Sequence, residues 1–132
     1  MEIVKQISVF TANKSGVLAN VCGFLTDEKI SLQGVTVVDH SDHALIRLVT
    51  SDPEKALHLL GEAGMCVIES DIIRIELTKA PGSLEKILKI ASDGDLDILY
   101  LYGSEPEKDH PVIFLNLNDN LKGLDLIKKK LK

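Results

Sequence analysis

The sequence predicts an α+β fold built from two βαββαβ units, each an antiparallel sheet with two helices on one face. Two observations carry this prediction. A turn-like motif centred on Gly16 returns at Gly82, 66 residues later, and each copy lies between a strand-like and a helix-like apolar pattern. The chain has 132 residues, twice that spacing. A repeat of this kind predicts two very small units rather than one ordinary domain.

The repeat extends beyond the motif itself. An offset of 66 pairs apolar residues along the chain without a gap, and we interpret it as the duplication of one structural unit. The predicted units are residues 1–71 and residues 72–132. The pairs include Ile7 with Ile73, Val9 with Ile75, Val21 with Ile87, Leu48 with Phe114 and Leu60 with Leu126.

Each unit begins with a strand and a helix. Ile73, Ile75 and Leu77 alternate with polar residues, which is typical of a half-buried strand, and the segment around Ile7 and Val9 alternates in the same way. After each motif, apolar residues recur at positions i, i+3, i+4 and i+7 and predict one apolar stripe on an amphipathic helix. These residues are Leu18, Val21, Cys22 and Leu25 in the first unit and Leu84, Ile87, Leu88 and Ala91 in the second.

Two further strands and a second helix follow in each unit. Strand-like runs at 32–38 and 44–49 flank a polar turn, and their counterparts are 98–102 and 112–117. A capping residue and Pro53 predict a helix start in the first unit. We expect that helix to bury Ala56, Leu57, Leu60 and Ala63. Asn118 is the predicted cap of a last helix that buries Leu121, Leu124, Ile127 and Leu131.

The first unit closes with a fourth strand near Cys66, for which the second unit has no counterpart. Residues 66–78 contain no Gly or Pro and predict one continuous strand. Without a last strand, the second unit has an unpaired edge next to Ile73, Ile75 and Leu77. Exposed apolar edges tend to pair. A second chain or another segment of this chain is therefore expected to cover the edge, and a homodimer is the simplest prediction.

Composition excludes several classes of function. The formal net charge is -5, aromatic residues make up 4% and Trp is absent, which disfavours nucleic acid as a partner. No apolar run reaches the roughly 20 residues of a membrane span. The N-terminus has no basic stretch followed by an apolar block, so we expect a cytoplasmic protein without a membrane partner. Cys22 and Cys66 are too few and too isolated for a disulfide framework.

The two motifs resemble the strand-to-helix turn of ACT domains, small regulatory modules that sense amino acids. In that family the turn reads roughly Asp or Asn, any residue, Pro, Gly, any residue, Leu. Residues 13–18 fit except for Ser15 in place of Pro, and residues 79–84 fit except for Lys79 in place of the acid or amide. The resemblance covers nearly the whole chain and implies a tandem pair of ferredoxin-like units.

The motif also has a physical use of its own. The first amides of a helix lack intrahelical partners and lie at the positive end of the helix dipole. A glycine just before them lets a ligand approach the backbone, so a carboxylate can bind there. The alternative is that Gly16 and Gly82 only permit a tight turn between strand and helix.

The resemblance implies the remaining members of a ligand site. The family commonly has a polar side chain at the start of the second strand, which is Ser31 here and Asp97 in the second unit. The predicted amino-acid site of the first unit is Asn13, Lys14, Ser15, Gly16, Val17, Leu18 and Ser31, with Asn13 at the ligand's polar end. A second possible site is Lys79, Ala80, Pro81, Gly82, Ser83, Leu84 and Asp97.

Other groups of polar residues give weaker evidence of a functional site. His40 and His43 with their neighbouring aspartates suggest a transition-metal site, although turns are ordinarily rich in such residues. No nucleophile and base arrangement stands out, so we expect no catalytic residue, metal or cofactor. The leading hypothesis is a non-enzymatic amino-acid sensor that modulates a partner, possible targets being enzymes of amino-acid metabolism. The alternative is a ligand-free interaction module or regulatory subunit of a separate enzyme.

Overall fold

The computed structural model describes residues 1–12, 14–104 and 110–131. The chain packs as two compact units, of which the first is Lys5–Ser70. The second consists of Asp71–Lys132 together with Met1–Val4. The N-terminal residues therefore pack with the second unit, although the first unit follows them directly in the chain. The division into domains 1–71 and 72–132 stays a prediction.

The elements follow the predicted βαββαβ order, and the ferredoxin-like fold class is confirmed. The first strand-to-strand series is β1 (Glu2–Ala12), α1 (Val17–Asp27), β2 (Leu32–Asp39), β3 (His43–Thr50), α2 (Pro53–Glu62) and β4 (Cys66–Glu76). The second continues from β4 with α3 (Ser83–Asp93), β5 (Ile98–Ser104), β6 (Val112–Leu117) and α4 (Asn120–Lys130). β4 is one unbroken strand, as the absence of Gly and Pro predicted.

The first unit has the strand order β2-β3-β1-β4, and β3 pairs antiparallel with both β1 and β2. Its helices lie on one face, because alternate strand residues and one stripe of each helix enter a common core. That core contains Ile7 and Val9 of β1, Ile46 and Leu48 of β3, Val21 and Leu25 of α1, and Ala56 and Leu60 of α2.

The second unit repeats this arrangement with the order β5-β6-β4, and β1 is the next neighbour of β4. Met1 and Ile3 pack against a core that contains Ile73, Ile75 and Ile127. The N-terminal part of β1 therefore occupies the position of the missing fourth strand. The edge of β4 that was predicted to be unpaired is covered by the N-terminal residues of the same chain. This edge therefore gives no reason to expect a homodimer.

Strand register corrects the gapless repeat. Ile7 lies opposite Leu48 in the first unit, whereas Ile73, 66 residues after Ile7, lies opposite Leu115, 67 residues after Leu48. Leu32 and Thr50 show the same change relative to Ile98 and Leu117. One extra residue therefore lies between β5 and β6. The predicted pairs of Leu48 with Phe114 and Leu60 with Leu126 are wrong by one residue.

The last helix begins one residue later than predicted. The Asp119 carboxylate accepts a hydrogen bond from the Lys122 amide at 3.1 Å and caps α4. Asn118, the predicted cap, instead accepts from the Asp97 amide at 3.0 Å. Ile127 is fully buried, as predicted, but Leu121 is 74% exposed and does not face the core. No described helix has the length and apolar character needed to cross a membrane.

Candidate functional site

The two glycine turns have the same backbone conformation. Gly16 precedes α1 with φ of 86°, and Gly82 precedes α3 with φ of 89°. Both angles lie in the left-handed region, where a Cβ atom is unfavourable. Apart from the adjoining residues of the chain, no heavy atom of the described residues lies within 4 Å of a Cβ built on either glycine. The turn therefore needs glycine for its dihedral angles, and it also leaves open space beside the backbone.

Each turn presents the start of a helix without a side-chain cap. The Asn20 amide donates to the Gly16 carbonyl and the Lys86 amide donates to the Gly82 carbonyl, both at 3.0 Å, so the helical ladder begins there. No described side chain caps either helix. The amides of the first turn lie at the positive end of the helix dipole. This is the geometry that a carboxylate needs.

A cavity of about 370 Å³ opens beside the Gly82 turn, within the second unit. Four of the seven residues predicted for the second site line it, and the rest of its wall comes from the end of β4, the two residues after it, α3 and the residue after α4. The turn contributes Ala80, Pro81, Gly82 and Ser83; the other lining residues are Glu76, Leu77, Thr78, Lys86, Ile87 and Leu131. The turn is therefore part of a concave site and not only a connection.

The cavity combines apolar and charged surfaces. Leu77 and Ile87 are largely buried members of the second core, and Leu131 lies at the C-terminal end of α4. Glu76 and Lys86 place one carboxylate and one ammonium group on the same lining. Apolar walls with a few polar groups are typical of small-molecule sites. A zwitterion with an aliphatic side chain has matching chemistry.

Neighbouring positive groups lower the pKa of the Glu76 carboxyl. Arg74 Nη1 donates to Glu76 Oε1 at 2.9 Å, and this hydrogen bond is the largest cause that lowers the pKa of the Glu76 carboxyl. The charge of Arg74 adds to the effect, and the N-terminal ammonium and His110 contribute smaller amounts. Glu76 is therefore a carboxylate near neutral pH, and it faces a cavity that contains Lys86.

This pairing predicts a pH-dependent contribution to stability. A carboxyl whose folded pKa is depressed stabilises the fold above its unfolded pKa, and the contribution disappears as the pH falls through the folded value. We expect Glu76→Gln to lower the free energy of unfolding at pH 7, with the difference from wild type present above the ordinary pKa of glutamate and decreasing as the pH falls below it. Urea unfolding at a series of pH values measures it. A difference that stays constant from pH 7 to pH 3 would contradict the assignment.

Comparison with known proteins assigns the fold to a family. Over residues 1–131 the chain matches the model of the ACT domain pair. The chain belongs to the ACT domain family. The resemblance noted from the two turns is thereby confirmed over nearly the whole chain.

Several solved structures are similar to this ACT domain pair. Protein BT0572 from Bacteroides thetaiotaomicron superposes with a TM-score of 0.91 and 29% identity, covering 97% of this chain and 88% of that one. The ligand-free regulatory subunit of aspartate kinase from Thermus thermophilus has a TM-score of 0.67 and 14% identity, covering 100% and 99%. The regulatory subunit of aspartate kinase from Thermus flavus has a TM-score of 0.62 and 14% identity. The match covers 100% of this chain and 98% of that one. At this identity the two subunits show a shared fold. No curated protein matches the chain.

Within one ACT unit, the turn and the polar residue at the start of the second strand lie far apart. The first turn follows Ala12, which pairs with His43, whereas Ser31 precedes Leu32, which pairs with Thr50. Seven residues of β3 separate these pairs, roughly 23 Å at about 3.3 Å per residue. The Ser31 amide donates to Ser51 Oγ at 3.0 Å. The first ACT unit therefore does not bring Ser31 to its own turn.

The second ACT unit separates Asp97 from its turn in the same way. Glu76, beside the cavity, pairs with Val112, whereas Asp97 precedes Ile98, which pairs with Leu117. Lys79 and Leu84 belong to the turn segment but do not line the cavity. In the first ACT unit, Lys14, Ser15, Gly16, Val17 and Leu18 form the turn and the start of α1, and Asn13 lies outside the described residues.

The histidine pair in the β2–β3 turn does not have the geometry of a metal site. The rings of His40 and His43 stack with centroids 5.0 Å apart and planes 17° apart. Imidazole lone pairs lie in the ring plane, so near-parallel rings do not direct them at one ion. His43 Nδ1 lies 2.8 Å from Asp42 Oδ1. In the described part of the chain, no group of three or more His, Cys, Asp or Glu residues is arranged to hold a metal.

Sequence reasoning missed the far walls of the cavity. The sequence pattern predicts Glu76 only as a polar residue of an alternating strand and Leu131 only as part of the apolar stripe of the last helix. Leu131 lies beside the turn because α4 packs there, and a local sequence pattern does not predict this packing. The polar phase of β4 was the available signal, since Arg74 and Glu76 follow each other on the same side of the strand.

Proposed function

We propose that this ACT domain pair is a non-enzymatic regulatory protein that binds a free amino acid and modulates a partner in amino-acid metabolism. The cavity beside the Gly82 turn is the observation that carries the proposal. Its volume of about 370 Å³ lies in the roughly 300–1,000 Å³ range of small-molecule sites. It adjoins a helix start without a side-chain cap, so shape and electrostatics favour the same kind of ligand.

The lining suggests how the ligand lies. Its carboxylate accepts hydrogen bonds from amides of the first turn of α3 beyond Ser83, whose own amide donates to the Ala80 carbonyl at 3.3 Å, and Lys86 is a second positive group. Its ammonium group faces the Glu76 carboxylate, whose pKa is lowered by the hydrogen bond from Arg74. Its side chain contacts Leu77, Ile87 and Leu131. This arrangement favours an aliphatic amino acid over an acidic one, because a second carboxylate would meet the apolar wall.

The first ACT unit supports a corresponding site at its own turn. Gly16 has the same conformation as Gly82, and the amides of Val17 and Leu18 begin α1 in the same way. Asn13, Lys14, Ser15 and Ser31 remain predicted members of that site.

Regulation follows from differential binding. A ligand shifts a protein between two states only to the extent that it binds one of them more tightly. We propose that the bound amino acid stabilises one arrangement of the ACT domain pair and thereby alters the surface that binds a regulated enzyme. The family assignment supports this role, and regulatory subunits of aspartate kinase share the fold. A homodimer is the proposed form of the protein.

Titration calorimetry against the twenty amino acids tests the site. We expect one or a few aliphatic amino acids to release or absorb heat, and Gly82→Asp to abolish binding because its carboxylate competes for the same amides. Gly16→Asp and Asn13→Ala test the first unit. Gly64→Asp is the matched control, since Gly64 has φ of 85° and an equally open Cβ position but lies after α2. Equal binding by the Gly82 and Gly64 variants would contradict the assignment.

An interaction module without a ligand is the second candidate function. The exposed apolar residues of the first unit, among them Phe24 and Val37, favour it. Thermal unfolding separates the two candidates, since a ligand at about 100 times its Kd stabilises the folded state by about 2.7 kcal/mol. Absence of any shift with all twenty amino acids would favour the interaction module.

A further inference from the structure

The two glycine turns have equivalent surroundings in the fold, so the side chains around them can be compared position by position. Phe10 lies opposite Leu45 on the neighbouring strand, and Glu76 lies opposite Val112. The first residues of these pairs are 66 positions apart and the second residues 67, which are the two offsets of the repeat. Phe10 therefore occupies the place that the Glu76 carboxylate has beside the cavity.

The second charged group of the cavity is also replaced in the first unit. The Lys86 amide donates to the Gly82 carbonyl, and the Asn20 amide donates to the Gly16 carbonyl. Lys86 and Asn20 therefore hold the same position in α3 and α1. Asn20 has a neutral side-chain amide where Lys86 has an ammonium group, so the first turn differs from the second at both of its charged positions.

The charge that remains beside the first turn is positive. Lys14 stands where the second unit has Ala80, and it can attract a carboxylate. Residues 10–21, which run from the end of β1 into α1, contain no acidic side chain. This segment therefore offers a partner to an anion but not to an ammonium group.

Two apolar parts of the cavity wall are replaced as well. Leu77 lines the cavity, and the residue 66 positions earlier is Thr11, which has a polar hydroxyl group. Leu131 follows α4 and lines the cavity, and the residue 67 positions earlier is Gly64, which has no side chain. An aliphatic ligand therefore loses two apolar contacts when these positions of the second unit are exchanged for those of the first.

We infer that Glu76 and Lys86 determine specificity for a free α-amino acid, and that the Gly82 cavity binds it more tightly than the Gly16 turn. The inference rests on the proposed function and adds to it which ligands are rejected and how many bind with high affinity. Exposed ion pairs contribute little individually, but two charge contacts and two apolar contacts together correspond to a difference of about tenfold or more in Kd.

The same lining rejects close relatives of an amino acid. A 2-oxo acid has the same carboxylate and side chain, but a carbonyl oxygen replaces its ammonium group. That oxygen and the Glu76 carboxylate are both acceptors, so no hydrogen bond forms between them. An N-acetyl amino acid keeps one N–H donor but loses the positive charge. The cavity therefore selects the free amino acid over both derivatives.

Titration calorimetry with leucine, isoleucine and valine tests the difference between the turns. We expect one tight binding step per chain and a second step that is at least about tenfold weaker. Gly82→Asp should remove the tight step, whereas Gly16→Asp should leave it unchanged. The 2-oxo acid and the N-acetyl derivative of the tightest ligand should each bind at least about tenfold more weakly than the amino acid.

Substitutions of the two charged residues test their roles. Lys86→Asn copies the first unit and should weaken the tight step several-fold, whereas Lys89→Asn, on the same helix but outside the cavity lining, should not. Glu76→Gln should weaken binding of the amino acid but not of its 2-oxo acid, because only the ammonium group loses a partner. A purely structural effect would weaken both equally. Thermal unfolding verifies that each variant is folded.

The reverse exchange tests the first turn. The double substitution Phe10→Glu and Asn20→Lys supplies both charged groups there and should tighten the weaker step towards the affinity of the other. An unchanged weaker step in the folded double variant would mean that these charges do not determine affinity, and it would overturn the inference.

The outcomes separate this inference from the proposed function. Two equal steps in the wild type, or equal affinity for the 2-oxo acid, would overturn the inference and leave amino-acid binding standing. Loss of the tight step in Gly16→Asp but not in Gly82→Asp would place the tighter site in the first unit. Absence of heat with all twenty amino acids would overturn the proposed function and the inference with it.

Discussion

Replacing Ile127 by Ala is expected to lower the free energy of unfolding by about 2–5 kcal/mol. Ile127 is fully buried in the second core, where it occupies the place that Leu60 has in the first. Removal of its outer carbon atoms leaves a cavity in the core cluster that also contains Ile73, Leu115 and Leu117, and the paired strands that carry these three residues relax little. Urea unfolding monitored by circular dichroism measures the change.

Two leucines of the same helix provide the controls. Leu121 is 74% exposed, so Leu121→Ala should change stability by less than about 0.5 kcal/mol. Leu126 is only partly buried beside the same core, and Leu126→Ala should cost less than Ile127→Ala. A larger cost at Leu126 would mean that the repeat keeps its offset of 66 through α4, contrary to the strand register.

Deleting Met1–Val4 is expected to destabilise the second unit while the first unit stays folded. Met1 and Ile3 are partly buried against the second core, and their loss removes about 2–4 kcal/mol of apolar burial. The deletion also exposes an edge of β4 that tends to pair with other chains. Hydrogen exchange read by mass spectrometry should show lost protection in peptides from 71–131 and retained protection in peptides from 14–65.

A point substitution separates this effect from the loss of chain length. Ile3→Asp places a carboxylate against the second core, whereas Glu2→Asp changes an exposed residue next to it. We expect the first variant to reproduce the exchange pattern of the deletion and the second to match wild type. Equal loss of protection in both units would show that the N-terminus stabilises the chain as a whole and not the second unit.

Local periodicity was enough to predict the elements. The alternation around Ile73 and the stripe through Val21 and Leu25 each report which face is buried, and the structure has β4 and α1 there. The extra residue between β5 and β6 could not be detected in this way. An offset of 66 pairs Leu48 with Phe114, and an offset of 67 pairs it with Leu115. Both partners are apolar, and the same holds for Leu60 with Leu126 or Ile127. Only strand pairing distinguishes them.

Long-range packing accounts for the other differences. Met1 and Ile3 share the odd phase of Ile7 and Val9, which predicted a buried side of the strand but not which core would receive them. The glycine turns could be predicted, because the conformations at Gly16 and Gly82 depend on local dihedral angles. Glu76 and Leu131 meet at the turn through tertiary packing, and Ser31 and Asp97 lie at the other end of their sheets for the same reason.

The extra residue of the second unit lies between β5 and β6, and this position indicates which change of length a duplicated β-sheet protein tolerates. Within a strand, one added residue would turn every later side chain to the opposite face and expose Leu115 and Leu117 to water. Between β5 and β6 it costs only a longer connection, and both strands keep their own alternation. After duplication, such a protein tolerates a change of length between two strands more readily than a change of phase within a strand. Insertion of an epitope tag between Ser104 and Val112 is the practical use of that freedom.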